Sequence, residues 1–381
     1  MAPILTTHAG SLPRPKELDA LWARNWRGEA VDRDEIEAIV ERATADVVAR
    51  QVEVGLDIVG NGEQGRESFF THVRERFSGF GGMGDVRPFR DIRAFPEYLK
   101  ARIPLATDPN SISLVQVPAA VDEVRYLGTG AIERELTQLQ RYAGPLQPRD
   151  VFLTVPSPGI VAAAMTNRHY DTIEHYVDAV AEGLTHEYAA CIDAGVLLQI
   201  DAPDLAMEQH NLFAERPLDD FVAFADHVVR AINGAVDGLP RERIRLHVCW
   251  GNYDGPHCFD VPLEDMLATY SKAHVGTIVL SLANPRHAHE YRLLARLPHD
   301  VTVVVGCIDT TSNYVEHPQV VCDRLLRAID TIGDPARVQA GTDCGFASAA
   351  GMRDVAPDVA WAKLQSLTEG AALASDTLGL P

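Results

Sequence analysis

Three residues with metal-binding side chains stand where predicted strands end. His247 and Cys249 alternate in the strand-like run IRLHVCWGN, and Cys344 follows the short strand VQAGT in the motif GTDCGF. Residues two apart on a strand point to the same face of the sheet, so His247 and Cys249 can bind one ion together. Cys344, from a distant strand end, can then complete a group of three ligands.

This combination of ligands indicates zinc. Thiolates and an imidazole suit Zn²⁺, whose tetrahedral shell needs a fourth ligand that can be weak or exchangeable. If an incoming thiol takes that position, the ion holds it as a thiolate near neutral pH and makes it a nucleophile. The alternative is that His247, Cys249 and Cys344 are ordinary core residues, because free cysteine is often buried. The polar segments around both strand ends favour zinc.

The composition is that of a soluble enzyme with a large core. The chain has 381 residues, 46% of them hydrophobic, and a formal net charge of -20. This charge argues against nucleic acid and anionic membranes as partners. No apolar run reaches the ~18 residues of a membrane span, and the start MAPILTTHAGSLPRP lacks the pattern of a signal peptide. We therefore expect a cytoplasmic protein; the oligomeric state, a homo-oligomer included, stays open.

Short apolar runs alternate with longer amphipathic stretches, which is the pattern of parallel βα units. Helices are predicted over 32–55 and 170–195, before the second and fourth strands. The predicted strands are ILTTHAGS, LDIVGNGE, VFLTVPSP, VLLQIDAP, IRLHVCWG, TIVLSLAN, VTVVVGCID and RVQAGTDCG. Eight repeats predict a single α/β domain over residues 1–381, a (β/α)8 TIM barrel with its active site at the C-terminal strand ends.

Polar residues gather at these predicted strand ends. The set is Ser11, Glu63, Ser157, Asp201, His247, Cys249, Ser281, Asn284, Asp309 and Cys344. Between the second and third strands, residues 65–150 form a long irregular insertion, with a predicted hairpin at 113–128. A connection of this length usually serves function, so we expect a lid or wall of the active site.

The motifs of the chain resemble a known superfamily. The strings TTHAGSLPRP, GLDIVGNGEQGRESFF, HVCWGNYDGP, LANPRHAHE, DTTSNYVEHP and AGTDCGF are similar to the catalytic half of cobalamin-independent methionine synthase. They resemble more closely the short single-barrel proteins related to epoxyalkane:coenzyme M transferase. The resemblance implies a barrel of the methionine synthase and uroporphyrinogen decarboxylase type. It also implies that His247, Cys249 and Cys344 hold zinc, which activates a thiol for attack on an alkyl carbon.

The chain departs from methionine synthase at three positions. The glutamate that the family adds as a zinc ligand corresponds to Ser281, so the fourth ligand is open between Ser281, water, the substrate and Cys307, which shares the strand parity of Asp309. Where the family has a strand-end D-E-P, this chain reads D-A-P with Asp201 as its one carboxylate. The family's proton-shuttling histidine corresponds to Thr311, two residues after Asp309.

These departures bear on the electrophile. Methyltetrahydrofolate needs a placed general acid, because its leaving amine must be protonated. An epoxide carries ring strain and its own leaving oxygen, so a thiolate can open it with less help. The sequence therefore favours transfer to an epoxide or related small electrophile, as in epoxyalkane:coenzyme M transferase. The alternatives are a methionine synthase-like methyltransferase, with a corrinoid or shortened folate donor, and a protein that binds zinc or a thiol without turnover.

The acceptor thiol is either coenzyme M or homocysteine. The sulfonate of coenzyme M needs cationic donors, for which Arg66 and Arg286 are candidates, although both can instead form structural ion pairs. The ammonium of homocysteine needs carboxylates, which Glu63 and Asp201 can supply. We assign orientation of the substrates or proton management to Asp201, Glu63 and Asp309. The predicted substrate-binding residues are Ser11, Arg66, Ser157, Asn284 and Arg286.

Other residues near these motifs are assigned less weight. His287 and His289 in NPRHAHE are expected to contact backbone or solvent. His257 and Cys258 are adjacent, and neighbouring residues on a strand do not chelate one ion. Trp250, beside the predicted ligands, is expected to pack rather than to stack on a substrate.

Overall fold

Parallel strands form the centre of the molecule in a computed structural model of the chain, which describes residues 3–87, 89–106, 108–352 and 354–380. The strands are β1 Ile58–Gly60, β2 Phe80–Gly81, β3 Ala119–Ala120, β4 Asp150–Pro156, β5 Leu197–Asp201, β6 Ile244–Val248, β7 Thr277–Leu280, β8 Thr302–Ile308 and β9 Val338–Thr342. Over the described ranges, seven of them form one sheet in the order β1-β4-β5-β6-β7-β8-β9. All neighbours in it are parallel.

The sequences of the strands explain why they form. β8 reads TVVVGCI, and β-branched residues such as these favour extended backbone. β5 and β6 are buried along their whole length. Parallel strands that are covered on both faces are mostly apolar. The exceptions in these two strands are Gln199 and Arg245, which bond each other, and Asp201 and His247 near the C-terminal ends.

The segment predicted as the first strand closes the sheet into a ring. Thr6 forms an isolated parallel bridge with Ala340 of β9, and Thr7 N donates to Ala340 O at 2.9 Å. On the other side, Ile58 N of β1 donates to Thr6 O at 3.0 Å. The segment thus joins both edge strands. The (β/α)8 barrel predicted from the sequence is the observed architecture, with a bridge in place of the first regular strand.

Helices surround the barrel. They are α1 Lys16–Trp26, α2 Arg33–Glu53, α3 Arg90–Ala94, α4 Pro96–Ala106, α5 Gly130–Ala143, α6 Pro158–Ala164, α7 Ile173–Asp193, α8 Leu218–Ala235, α9 Leu263–Tyr270, α10 Pro318–Ile332 and α11 Pro357–Thr377. The predicted helices over 32–55 and 170–195 are confirmed as α2 and α7. Asp32 and Thr172 cap their first turns by accepting backbone N–H bonds. Within the described part of the chain, no helix is both long and apolar enough to cross a membrane.

The region between β1 and β4 contains a small antiparallel sheet, β2 and β3, and the helix α5. Phe80–Gly81 pairs antiparallel with Ala119–Ala120, and Phe77 bridges Tyr126. The predicted hairpin within 113–128 is therefore wrong, because this segment pairs with a stretch that lies earlier in the chain. α5 instead packs into the main core through Ile132, Leu136 and Leu139.

Candidate metal centre at the mouth of the barrel

His247, Cys249 and Cys344 meet at the mouth of the barrel, and we call them the cysteine site. His247 lies on β6, Cys249 follows its last residue, and Cys344 comes shortly after β9. Their metal-binding atoms all lie within 4.8 Å of one another. Each of the three residues is only 5% exposed. Because β7 and β8 separate β6 from β9 in the sheet, the curvature of the barrel is what brings these ligands together.

Asp201, the last residue of β5, orients His247. Its Oδ1 lies 3.0 Å from His247 Nδ1 and accepts a hydrogen bond of 2.9 Å from Gln199 Nε2. His247 Nε2 lies 3.1 Å from the carbonyl oxygen of Asp343, which can only accept. Burial lowers the pKa of His247, but the hydrogen bonds with Asp201 and Cys249 raise it to about 10. A metal ion at Nε2 would replace one ring proton and leave Asp201 to fix the ring, as carboxylates do for histidine ligands.

The two sulfur atoms differ in their protonation. The hydrogen bond with Cys344 is the largest cause that lowers the pKa of Cys249 to about 5; burial opposes it and the nearby His247 charge adds to it. The same bond, together with burial, raises the pKa of Cys344 well above its ordinary value. Cys249 is thus the more acidic of the two thiols. Sulfur and imidazole donors at this separation fit zinc, which would favour the thiolate form of both cysteines.

Two residues were considered for the fourth ligand position. Ser281 Oγ lies 3.8 Å from Cys344 Sγ and donates to the carbonyl of Asp343 at 2.6 Å. Cys307 on β8 is fully buried and lies outside the group of ligand atoms found among the described residues. Burial raises the pKa of Cys307 to about 12, so it is a neutral thiol. Ser281 is the nearer of the two, and a neutral hydroxyl is a weak ligand that leaves this position exchangeable.

Asp343 is a structural support of the site that the sequence did not reveal. Its carboxylate accepts backbone N–H bonds of 2.8 Å from Leu282, Ala283 and Asn284. Burial raises the pKa of this carboxyl to about 6, against the effect of these three bonds. Asp343 therefore ties the turn after β7 to the loop that carries Cys344. The one signal in the sequence is its position directly before that cysteine.

Glu63 follows β1, Asp201 ends β5, and the two carboxyl groups interact electrostatically across the barrel mouth. Its Oε1 accepts a bond of 3.0 Å from Thr154 Oγ1, and Oε2 has no partner among the described residues. Burial, and next the negative charge of Asp201, raise the pKa of Glu63 to about 7. Its backbone is in the left-handed region at φ 57°, a strained conformation for glutamate. The structure thus brings together the two carboxylates that were predicted to bind an ammonium group.

Arg66 shares a partner, Thr154, with Glu63. Its Nε pairs with Glu135 at 2.9 Å, and its Nη1 donates to Thr154 O at 2.8 Å and to Thr154 Oγ1 at 3.1 Å. The side chain is fully buried. Glu135 also pairs with Arg76, which binds Glu187 at 2.7 Å. This is the structural ion pair that stands as the alternative role for Arg66, and it leaves only Nη2 of the guanidinium without a partner among the described residues.

A small cleft lies above the cysteine site. It is lined by Trp250, Gly251, Asn252, His257, Ser281, Asn284, His287, Asp309, Thr310, Thr311, Asp343 and Cys344. Of the predicted site residues, Asn284 and Asp309 therefore face the same space as Cys344. Asp309 accepts bonds from Thr311 N at 2.9 Å and Thr311 Oγ1 at 2.8 Å, and from Ser312 Oγ at 2.5 Å. Its carboxylate is largely occupied by its own turn.

Three predicted substrate-binding residues have other partners. Ser11 Oγ accepts from Ala347 N at 3.2 Å and supports the loop after Cys344. Ser157 caps α6 through Ile160 N, and it donates to Asp204 at 2.5 Å. Arg286 is exposed and donates to the carbonyl of Cys258 at 3.3 Å. Their predicted substrate contacts stay predictions.

His257 and His287, in the loops after β6 and β7, are both buried and both contact the carboxylate of Asp260. The expectation that His287 contacts backbone or solvent is wrong: its ring is buried, 2.7 Å from Asp260 and 2.8 Å from Glu290. His289 is exposed, as expected. Trp250 packs as predicted, because its ring stacks on His287 with 3.7 Å between centroids. The missed signal was the spacing of His257 and Asp260, which lie three residues apart and contact at 2.7 Å.

Known proteins similar to this chain carry two kinds of name. No protein-family model matches the chain. The methionine synthase of Sulfolobus acidocaldarius is 24% identical over 342 residues, which cover 90% of this chain and 85% of that protein. The 2-hydroxypropyl-CoM lyase of Xanthobacter autotrophicus is 26% identical over 416 aligned positions, with 96% of this chain and 94% of that protein covered.

A solved structure supports the fold. The B12-independent methionine synthase from Shewanella sp. W3-18-1, in complex with selenomethionine, superposes with a TM-score of 0.72 at 22% identity, and the match covers 99% of both chains. The resemblance predicted from the motifs is therefore confirmed at low identity: the relatives include methionine synthases and a CoM lyase, and the barrel is shared. Both relatives carry the names of enzymes, and their alignments cover 90% and 96% of this chain.

Proposed function

We propose that this protein is a zinc-dependent alkyltransferase, which activates a small thiol for attack on an electrophilic carbon. The observation that carries the proposal is the cysteine site, whose three ligand atoms lie within 4.8 Å of one another beside a small cleft that Cys344 lines. Zinc bound there would lower the pKa of an acceptor thiol, so that it reacts as a thiolate near neutral pH.

The surrounding residues hold this arrangement rigid. Asp201 fixes the imidazole ring of His247, and Asp343 holds the loop of Cys344 against the turn after β7. The ligands are nearly excluded from water, so charges in the cleft interact more strongly than they would in solvent. These contacts support a site that is organised before the substrates bind.

The acceptor thiol favoured by the geometry carries an ammonium group, as homocysteine does. Glu63 and Asp201 interact electrostatically, and Glu63 Oε2 has no partner among the described residues. An ammonium group would donate to this oxygen and stabilise both carboxylates in their charged form. The sulfonate of coenzyme M has less support, because Glu135 holds Nε of Arg66 and Thr154 holds Nη1, which leaves only Nη2 without a partner among the described residues.

The electrophile is one whose leaving group needs no strong acid. Thr311 donates to Asp309 at 2.8 Å, and the Asp309 carboxylate also accepts from Ser312. No free acid stands at this position among the described residues, so an unprotonated folate amine would leave poorly. A methylated corrinoid needs no proton: the thiolate sulfur bonds to the methyl carbon, and the carbon–cobalt electron pair stays on cobalt. The methyl donor of this proposal is therefore a corrinoid.

A second candidate is the opening of an epoxide by coenzyme M. The 26% identity to 2-hydroxypropyl-CoM lyase over most of the chain favours it, as does threonine at position 311. In this reaction sulfur bonds to a ring carbon, the carbon–oxygen bond breaks, and the alkoxide takes a proton from water or a nearby carboxyl. The strained ring makes the missing acid less important.

Product analysis with the zinc-loaded protein tests both candidates. Homocysteine and coenzyme M are each combined with methylcobalamin, methyltetrahydrofolate or epoxypropane, and thioether products are identified by mass spectrometry. We expect a methyl thioether from homocysteine and methylcobalamin. Product only from coenzyme M and epoxypropane would establish the second candidate instead. Stoichiometric zinc and tight thiol binding without any product would identify a binding protein.

A further inference from the structure

A second group of metal-binding side chains lies on the same face of the barrel, and we call it the histidine cluster: His210, His257, Asp260 and His287. Asp260 Oδ2 lies 2.7 Å from His257 Nδ1 and 2.7 Å from His287 Nε2. The ligand atoms of His257, Asp260 and His287 lie within 4.8 Å of one another. The side chain of Asp260 is 1% exposed, and both histidines are 3% exposed.

The hydrogen-bond partners of the two rings show an excess of acceptors. His257 has Asp260 at Nδ1 and the carbonyl of Tyr253 at Nε2, 3.2 Å away. His287 has Asp260 at Nε2 and Glu290 at Nδ1, 2.8 Å away. Since carboxylate and carbonyl oxygens only accept, both rings must carry two protons, or a divalent cation must supply the same two positive charges.

His210 distinguishes these two possibilities. It is completely buried, and neither ring nitrogen has a hydrogen-bond partner among the described residues. Its Nε2 lies 3.5 Å from Asp260 Oδ1, which also lacks a partner there. Protons on His257 and His287 satisfy neither of these atoms. Buried polar atoms of this kind are rarely left without a partner, so their position against the cluster indicates a missing ligand.

We propose that the histidine cluster is a second metal site, which binds a divalent first-row transition ion through His257, Asp260 and His287, with His210 facing it from the other side. In this arrangement the outer nitrogens of His257 and His287 donate to Tyr253 O and Glu290. Such contacts to a carbonyl and a carboxylate are the usual supports of histidine ligands. Imidazoles with one carboxylate suit zinc or ferrous iron, and the ligand set differs from that of the cysteine site in having no sulfur.

The residues come from three consecutive loops at the C-terminal face of the barrel. His210 ends the short helix Met207–His210 after β5, His257 and Asp260 lie between β6 and α9, and His287 follows β7. Asp91 of α3 binds the loop after β6: its carboxylate accepts from Tyr253 OH at 2.9 Å and from Cys258 N at 3.1 Å. An ion here would hold these loops together as one wall of the cleft, which His257 and His287 line.

Cobalt titration of metal-free protein measures the site directly. The proposal expects about two ions per wild-type chain by elemental analysis. Cobalt bound to the cysteine site gives intense thiolate charge-transfer absorption, and cobalt in the histidine cluster gives only weak visible bands. In Cys249→Ala/Cys344→Ala protein, one ion should remain, without the charge-transfer absorption. Because this variant lacks the cysteine site, its result does not depend on the proposed alkyl transfer.

Conservative substitutions separate metal binding from folding. Asp260→Asn and His287→Gln should each lower the content by one ion while the thiolate charge-transfer band is kept, which also shows that the barrel is folded. His72→Asn is the matched control, since His72 is equally buried and bonds Ser68 O at 3.0 Å outside both groups. One ion in wild type and none in the double cysteine variant would overturn the proposal, as would unchanged metal content in both Asp260→Asn and His287→Gln.

Discussion

The cysteine site and the histidine cluster are built from different parts of the barrel. His247 lies on a strand, and Cys249 and Cys344 follow strand ends closely, so the regular sheet fixes their positions. The histidine cluster is assembled from loops, and it depends on hydrogen bonds between them. Strand register therefore sets the positions of the sulfur ligands, whereas hydrogen bonds between loops set the positions of the histidine cluster.

Removing a sulfur ligand should have the largest effect. We expect Cys249→Ala and Cys344→Ala each to lose zinc and to lower alkyl transfer by about 1,000-fold or more, because the thiol is then no longer activated. Metal analysis and turnover measure this. Cys258→Ser is the control, since that cysteine is exposed and belongs to neither group of ligands. Zinc retained by both alanine variants would show that the cysteine site is assigned incorrectly.

The two sites should also differ in how a neighbouring carboxylate acts. Asp201→Asn keeps the three ligands but weakens the acceptor of His247 Nδ1, so we expect metal affinity at the cysteine site to fall about 10- to 100-fold. Competition with a chelator measures the change. The histidine cluster should keep its affinity in this variant. Equal losses at both sites would mean that Asp201 supports the whole barrel mouth rather than one ring.

Glu63 makes the stability of the barrel mouth depend on pH. Its pKa rises from 4.5 to about 7 on folding, so its stabilising contribution is complete below pH 4.5 and is lost as the pH rises through 7. Glu63→Gln should therefore gain little at pH 4.5 and about 2–3 kcal/mol at pH 8, as measured by urea unfolding.

The exposed carboxyl of Glu133 on α5 gives the matched comparison for Glu63. Glu133→Gln should show the same pH dependence of the free energy of unfolding as wild type. If Glu63→Gln also followed the wild-type curve at every pH, the pKa of the Glu63 carboxyl would not be raised in the folded protein.

The smallest effect is expected at Arg286, in the loop after β7. Its side chain is exposed and bonds only a backbone carbonyl at 3.3 Å in the described contacts. Arg286→Ala should change the affinity for homocysteine or coenzyme M by less than about 2-fold, because a single exposed contact contributes little. Isothermal titration with both thiols measures this. A tenfold loss confined to coenzyme M would make Arg286 its sulfonate ligand and favour the second candidate function.

The His247 and Cys249 pair of the cysteine site could be predicted because its signal is local. Two residues apart on a strand is a spacing that the sequence displays, and the alternation of apolar runs with amphipathic stretches predicts the barrel that brings Cys344 to His247 and Cys249. The first strand was predicted too long, since residues 4–11 form only the bridge of Thr6 to Ala340. The ends of such a segment are decided by the neighbours that it joins.

The remaining features depend on contacts between distant residues. Arg66 could not be assigned from its own motif, because Glu135, its ion-pair partner, lies 69 positions further along the chain. The strand at 119–120 was given a local partner, while its real one is at 80–81. The histidine cluster is only partly visible in the sequence: His257 and Asp260 lie three residues apart, but His287 joins them only because two loops fold together.

Trp250 joins the two regions physically. It follows Cys249 directly in the chain, and its indole stacks on His287 while Nε1 donates to Val261 O at 2.7 Å. The indole ring of Trp250 thus separates the sulfur ligands of the cysteine site from the imidazoles of the histidine cluster. A smaller ring at position 250 would remove packing from the cysteine site and from the histidine cluster together. We therefore expect the barrel mouth to tolerate few substitutions at this position.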